Sequence, residues 1–168
     1  MRFKKTIRKL VKKSIGFDFV LSFEGAFDRY RKMIEGEEKM RKEEIINELM
    51  RLVERDGLIA TLRGVFGKRI WVRVPFSQGA CDSSIDVIGF SPRADNSLKR
   101  AGIFTIGEVI DLIADNGLLR IRNLGQKTQN EIQTRILVFG YERLNEAERK
   151  RFFYDVLERA CRSTREKA

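Results

Sequence analysis

The chain has 168 residues, of which 42% are hydrophobic and 35% are charged, so it can bury a core and differs from the disordered class. Lysine and arginine outnumber aspartate and glutamate by 34 to 24, and the net charge of +10 favours a polyanionic partner. The chain has no histidine and only two cysteines, which excludes histidine-based catalysis and the common zinc patterns. We therefore expect neither a metal ion nor a cofactor.

Two features bear on the cellular compartment. Cys81 and Cys161 lie far apart and the chain shows no secretory signal, so both are expected to be ordinary thiols in a reducing cytoplasm. The apolar run 15–23 is much shorter than the ~20 residues of a membrane-spanning helix, and Asp18 interrupts it. The sequence thus predicts a cytoplasmic protein without a transmembrane segment.

Residues 1–16 are strongly basic. They contain seven basic residues and no acidic one, so they carry +7 of the total charge. Their apolar residues recur at helical spacing and predict an amphipathic helix that Gly16 ends: Phe3, Ile7, Leu10 and Val11. Such a helix could contact nucleic acid, lie on an anionic membrane surface, or pack its apolar stripe on its own domain.

The following segment contains a strand signal and then a helix signal. In 17–23 apolar residues occupy every second position, which permits a strand, whereas 27–34 returns to a helical period. The charged stretch 35–42 is the best linker candidate of the first half. From about residue 41 to 56 a helix is predicted, ended by Gly57, with a core stripe made of Ile45, Leu49, Leu52 and Val53.

Residues 58–66 are apolar without a clean period, and 70–76 alternate as a strand does, with Gly67 and Lys68 as a hairpin turn before it. Trp71 stands between two arginines of this strand. It could stack on a base, or it could cover the core beneath the arginine stems. Residues 77–84 have the composition of a linker, so the expected domains are 1–82 and 83–168.

Two helices with clear caps open the second half. Ser91 followed by Pro92 is typical of an N-cap with proline at the first helical position, and Gly102 can end this helix in a left-handed conformation. Thr105, three residues before Glu108, predicts a capping box at the start of the next helix. The apolar residues of that helix share one face: Ile106, Val109, Ile110 and Ile113.

A hairpin and a third helix follow. Asn116 with Gly117 ends the second helix, the apolar turn 118–121 leads into the run 123–128, and the third helix is expected to end at Gly140. Its inward residues are Ile132, Ile136 and Leu137. A helix that begins after such a hairpin presents free backbone N–H groups, which are a ready site for a phosphate. Gly125 either needs a conformation closed to other residues or allows a close backbone approach.

The last helix begins after Asn145, which can form a capping box with Glu148. Its apolar side is wide enough to dock on the preceding helices or to form a homodimer: Phe152, Phe153, Val156, Leu157, Ala160 and Cys161. Residues 163–168 are expected to fray. The predicted fold class is mainly α, with a C-terminal compact bundle of four to five short helices that contains a helix-hairpin-helix. A small α+β region, with a helix and a strand or hairpin, precedes it.

Two runs within this bundle are informative together. R-x-x-N-x-L-K begins at Arg93 and N-L-G-x-K-[ST]-x-x-E-I begins at Asn123. In this order and separation they resemble the C-terminal domain of the bacterial RNA polymerase alpha subunit, over roughly a third of the sequence. The resemblance implies binding of A/T-rich double-stranded DNA through the minor groove, with Arg93 entering that groove. The other residues that it implies for the DNA surface are Asn96, Ser97, Gly125, Lys127, Thr128 and Glu131.

Several positions depart from the family pattern. The acidic pair that contacts the sigma factor in the relatives is absent from 85–90, and nothing resembles the alpha assembly domain. Asp95 would repel phosphate unless it turns toward Arg93 or Lys99. Gln126 replaces a common lysine, which removes one phosphate charge and lowers the salt dependence. Thr128, three residues before Glu131, could also be a plain capping box without a DNA role.

Enzymatic activity is not expected, because the sequence has no Walker loop, no Rossmann fingerprint, no paired-carboxylate motif and no nucleophile with a histidine base. The leading prediction is an accessory DNA-binding protein of bacterial transcription. One alternative is a protein-interaction factor that mimics the polymerase domain to engage a transcription factor or RNA polymerase. Another is a polyanion or membrane-surface binder that acts through 1–16. Residues 83–140 hold seven basic and six acidic residues, so their net charge is only +1.

Overall fold

The computed structural model of the protein describes residues 15–22, 42–66 and 69–165, with side chains over 43–64 and 72–159. The predictions for 1–14, for the helical segment 27–34 and for the turn at 67–68 lie outside these residues, as does the predicted linker 35–42 except for Lys42, which is helical. So do the predictions for the side chains of Trp71 and Cys161. The described part of the protein is mainly α-helical, as predicted. None of its helices is long and apolar enough to cross a membrane.

The described residues form two strands and seven α-helices. In sequence order these are β1 (Ile15–Ser22), α1 (Lys42–Asp56), α2 (Leu58–Phe66), β2 (Arg69–Phe76), α3 (Gln78–Cys81), α4 (Pro92–Arg100), α5 (Ile106–Ala114), α6 (Gln126–Glu142) and α7 (Glu146–Arg165). Two 3₁₀ turns, Ile85–Ile88 and Gly117–Arg120, precede α4 and follow α5. The two strands form one two-stranded sheet. Both predicted strands are confirmed, but β1 already begins at Ile15, so Gly16 lies within a strand and does not end a helix.

The protein divides into two compact units, each made of two stretches of sequence. The first unit comprises 1–18 and 74–140, and the second comprises 19–73 and 141–168. These units do not coincide with the expected division into 1–82 and 83–168, because α7 packs against α1 in the second unit. α7 also contacts the end of α6, where the ring centroid of Tyr141 lies 5.3 Å from that of Phe152 and 6.0 Å from that of Phe153.

The first unit has a short helix where a linker was expected. The hydroxyl of Ser77 accepts the backbone N–H of Ala80 at 3.3 Å, which caps α3. α3 packs against α5, and Cys81 is buried. Burial raises the pKa of the Cys81 thiol above its usual range. Residues 77–84 are therefore part of the folded unit, and Ser77, the first residue of the expected linker, is a helix cap.

The predicted caps of α4 and α5 are confirmed. The Ser91 hydroxyl accepts the backbone N–H of Ala94, and Gly102 has a φ of +78° after the end of α4. Thr105 and Glu108 form the reciprocal bonds of a capping box, and two backbone N–H groups lower the pKa of the Glu108 carboxyl. The predicted apolar face of α5 is buried together with Leu98 of α4.

The predicted end of α6 at Gly140 is wrong, because the helix continues to Glu142. A Cβ on Gly140 would lie 2.6 Å from Cζ of Phe76 and 2.6 Å from Cγ1 of Val74. Both of these β2 side chains are buried. Gly140 is therefore needed for the close approach of α6 to β2, and it does not terminate the helix.

The second unit is built around α1 and α7. The bounds of α1 agree with the prediction, and Gly57 follows it with a φ of +84°, but Ile46 is buried where Ile45 was expected. The sequence assigned no structure to 58–66, which is α2. α7 has the predicted Asn145 and Glu148 cap, with both bonds at 2.9 Å. The helix continues to Arg165 and so includes the first three of the residues that were expected to fray. Four of its predicted apolar residues are buried: Phe152, Phe153, Val156 and Leu157.

Candidate nucleic-acid interface

The structure brings the start of α4 next to the start of α6. Arg93, the second residue of α4, is exposed, and its Nη2 lies 4.0 Å from the position that a Cβ on Gly125 would take. Gly125 immediately precedes α6 and is also exposed. The two sequence runs that predicted the site therefore meet in space at these two residues.

A pair of hydrogen bonds holds α4 to α6. The backbone N–H of Ser91 donates to Oε1 of Glu131 at 2.7 Å, and the Ser91 hydroxyl donates to Oε2 at 2.8 Å. Arg135 lies 3.6 Å from the same carboxylate. Because both Glu131 oxygens are used in this way, Glu131 positions the first turn of α4, and the alternative of a capping box with Thr128 is wrong.

The hairpin gets its shape from Asn123 and not from Gly125. Asn123 has a φ of +64°, whereas Gly125 is not in the left-handed region. The buried side chain of Gln129 donates to the Leu124 carbonyl at 3.0 Å and fixes the hairpin on α6. The expectation that Gly125 needs a special conformation is therefore wrong, and close approach of a ligand remains as the reason for a glycine there.

The first turn of α6 presents free donors. The Gly125 carbonyl accepts the N–H groups of Thr128 and Gln129, while those of Gln126 and Lys127 have no acceptor among the described residues. Lys127 is exposed, but Thr128 is only 6% exposed. An anion at this helix start would therefore meet two N–H groups and one ammonium group, with little surface from the threonine.

The other two predicted residues lie on α4. Asn96 is exposed, one turn after Arg93. The Ser97 hydroxyl donates to the carbonyl of Arg93 at 2.7 Å, so it is occupied within its own helix. Asn96 is thus available to a ligand, whereas Ser97 supports the turn that carries Arg93.

Asp95 turns to Lys99, one of the two partners that the sequence allowed. Nζ of Lys99 lies 2.8 Å from the Asp95 carboxylate and 2.7 Å from that of Asp86 in the first 3₁₀ turn. The bond to Asp86 first, and then the one to Asp95, raises the pKa of Lys99, and the Lys99 bond lowers the pKa of Asp86. The negative charge of Asp95 is thereby partly neutralised.

Three arginines beside the site were not predicted. Arg100, Arg120 and Arg122 are exposed and line an open groove of about 850 Å³. Ser97 and Asn123 line the same groove, so it continues from the predicted site. The available sequence signal was the pair of arginines that frames Ile121 just before the hairpin. No group of three or more metal-ligating side chains occurs in the part of the protein that the structure describes.

Known proteins are similar in sequence to the part of the protein that contains these residues. Residues 77–137 match the sequence profile of a family described as the C-terminal domain of the alpha subunit of bacterial RNA polymerase. A DNA-directed RNA polymerase subunit alpha of Symbiobacterium thermophilum is 39% identical over 59 residues, which are 35% of this chain and 18% of that subunit. The corresponding subunit of Roseiflexus sp. (strain RS-1) is 40% identical over 60 residues, which are 36% of this chain and 18% of that subunit.

A third alpha subunit, from Sulfurovum sp. (strain NBC37-1), is 37% identical over 59 residues, which are 35% of this chain and 17% of that subunit. The match thus spans under a fifth of the length of these relatives. No solved structure shows significant similarity to the protein. The matched residues start at Ser77, the cap of α3, so the expected boundary at 82 falls inside them. Residues 77–137 are therefore identified as a domain similar to the C-terminal domain of the bacterial RNA polymerase alpha subunit, as the two sequence runs predicted.

Proposed function

We propose that residues 77–137 bind double-stranded DNA and that the protein acts as an accessory DNA-binding factor in bacterial transcription. The observation that carries this proposal is the position of Arg93 beside Gly125 and the free N–H groups of α6. A guanidinium fits the narrow, electronegative minor groove of A/T-rich DNA, and backbone N–H groups bind the adjacent phosphates. Such a role would place the protein in the cytoplasm.

The charges of this surface support the proposal, although 83–140 are nearly neutral. Among the described residues, Lys99 and Arg135 pair with carboxylates, whereas the other five cations of this region have no ion pair. These five are Arg93, Arg100, Arg120, Arg122 and Lys127. Four of the six carboxylates take part in ion pairs or caps: Asp86, Asp95, Glu108 and Glu131. The free cations therefore outnumber the free carboxylates.

The direct test is a titration of the full-length protein with an A/T-rich and a G/C-rich duplex of equal length, each at two salt concentrations. We expect tighter binding to the A/T-rich duplex, and displacement by a small molecule that occupies the A/T minor groove. Equal affinity for both duplexes, with no displacement, would show that contact is limited to the phosphates. No binding to either duplex would refute the proposal.

We further propose that the basic N-terminal segment adds sequence-independent affinity, because 1–13 contain all seven basic residues of 1–16 and no acidic one. Deletion of 1–13 leaves β1 intact. The deletion should lower affinity and its salt dependence on both duplexes while the preference for A/T-rich DNA persists. Loss of the preference would mean that this segment selects the site.

A second candidate function is contact with a protein, either a transcription factor or RNA polymerase. Val87 and Phe104 are 58% and 56% exposed, which is unusual for large apolar side chains. The backbone bond from Ile85 N–H to the Phe104 carbonyl, at 3.0 Å, holds their segments together. If this surface serves a protein partner, Phe104→Ser should abolish capture of purified RNA polymerase and leave DNA affinity unchanged.

A further inference from the structure

Arg100, Arg120 and Arg122 all line the groove that continues from the predicted DNA surface. Arg100 lies seven residues after Arg93 on α4, and such a spacing returns to nearly the same helix face. Arg122 directly precedes Asn123, the left-handed residue of the hairpin. Arg100 therefore extends the face of Arg93 along α4, Arg122 adjoins the hairpin, and Arg120 joins them in the groove from the second 3₁₀ turn.

The groove contains side chains of both charges. Arg100 comes from the end of α4, Arg120 from the second 3₁₀ turn and Arg122 from the residue before the hairpin. The carboxylates of the groove are those of Glu108, Asp111 and Asp115. The Glu108 carboxylate accepts the backbone N–H groups of Phe104 and Thr105, at 2.8 and 2.9 Å, and is therefore engaged locally. With Glu108 engaged, the groove has three arginines against the carboxylates of Asp111 and Asp115, so a polyanion in it would be bound by the arginines.

We propose that Arg100, Arg120 and Arg122 form a second phosphate-contact surface. They would bind DNA phosphates beyond the stretch of DNA that Arg93 and Lys127 contact. This inference rests on the proposed DNA binding and deepens it. Arginine suits the role because its planar donors bind phosphate oxygens in pairs. Contacts to phosphate carry no sequence information, so this surface would add affinity without adding preference for A/T-rich DNA.

The test compares Arg100→Ala, Arg122→Ala and their double variant with the full-length wild type on the A/T-rich and G/C-rich duplexes. Each single change should lower the slope of log affinity against log salt by about 0.9. The double variant should weaken binding about three- to tenfold at low salt, by the same factor on both duplexes. These side chains are exposed, so thermal unfolding should be unchanged.

Two matched controls separate the groove from net charge. Arg151→Ala removes one exposed arginine of α7, in the second compact unit, and should leave the slope unchanged. Asp115→Asn removes a carboxylate from the same groove and should raise affinity. Equal effects of Arg151→Ala and Arg122→Ala would overturn the inference, because net charge alone would then explain them.

The outcomes also distinguish the two proposals. If the wild type binds A/T-rich DNA preferentially and the double variant keeps the wild-type slope, the second surface is refuted and the proposed function stands. If the wild type binds neither duplex, the proposed function and the second surface are both refuted. If the double variant loses the A/T preference, these arginines read the groove and are not phosphate contacts.

Discussion

Ser91 and Glu131 lie 40 positions apart in the sequence and share two hydrogen bonds, at 2.7 and 2.8 Å. Ser91 is the N-cap of α4 and Glu131 lies in the second turn of α6, so the contact sets the distance between the two helices. Glu131→Ala leaves a part-buried N–H and a hydroxyl without their acceptor. We expect it to lower the free energy of unfolding by about 2 kcal/mol, as measured by urea titration of the full-length protein.

Arg135→Gln is the matched control for Glu131. It removes the 3.6 Å ion pair to the same carboxylate but leaves both bonds to Ser91 in place. Because Arg135 is about half exposed, its loss should cost no more than about 0.5 kcal/mol. Equal losses for the two variants would mean that the ion pair, and not the Ser91 contact, joins the helices.

Gly140 should not tolerate a methyl group. In Gly140→Ala the new Cβ would overlap the buried side chains of Val74 and Phe76, and we expect a loss of about 1 to 3 kcal/mol in unfolding free energy. Gly79→Ala is the control, since nothing lies within 4 Å of a Cβ there and alanine favours the helix. A Gly140→Ala protein as stable as the wild type would contradict the packing described for α6 on β2.

A substitution at Gly125 should affect DNA binding much more than stability. A Cβ at this position meets only the Arg93 guanidinium, at 4.0 Å, so Gly125→Ala should change the unfolding free energy by no more than about 1 kcal/mol. If a DNA backbone approaches Gly125, the same methyl group should reduce affinity more than tenfold, in about the range of a lost direct contact. Fluorescence anisotropy with labelled duplex measures this effect. Unchanged affinity would show that no backbone comes close.

Lys127 and Thr128 are neighbours, but Lys127 is exposed and Thr128 is buried. We expect only Lys127 to contact a DNA phosphate. Lys127→Ala should weaken all duplexes alike and lower the salt slope by about 0.9. Thr128→Val should leave the slope unchanged, since the residue is 6% exposed and uncharged. If Thr128→Val lowers the affinity for DNA as much as Lys127→Ala does, the threonine hydroxyl contacts a phosphate.

Local signals allowed correct prediction of the helix starts. Each of the caps at Ser91, Thr105 and Asn145 is formed by residues less than four positions apart. Both partners of such a cap can therefore be identified from the sequence alone. The two family runs likewise predict Arg93 and Gly125 in one site, and the structure brings them side by side.

Contacts between distant segments could not be predicted. Gly140 looks like a helix end in sequence, and only the approach of β2 explains it. The sequence runs predict Glu131 for the DNA surface but give no sign that its carboxylate accepts two hydrogen bonds from Ser91. The helix α2 was missed because its buried Leu58 and Leu62 are surrounded by other apolar residues, which hide the helical period.

The proposed function depends most on Arg93, which we expect to enter the minor groove of A/T-rich DNA. The most direct measurement is the affinity of Arg93→Ala for the A/T-rich and the G/C-rich duplex, with Arg151→Ala as a control of equal charge. We expect Arg93→Ala to lose about 1 to 3 kcal/mol on the A/T-rich duplex and much less on the G/C-rich one, with the control close to wild type. Equal losses on both duplexes would reduce Arg93 to a phosphate contact, and unchanged affinity on both would contradict a DNA-binding role for this surface.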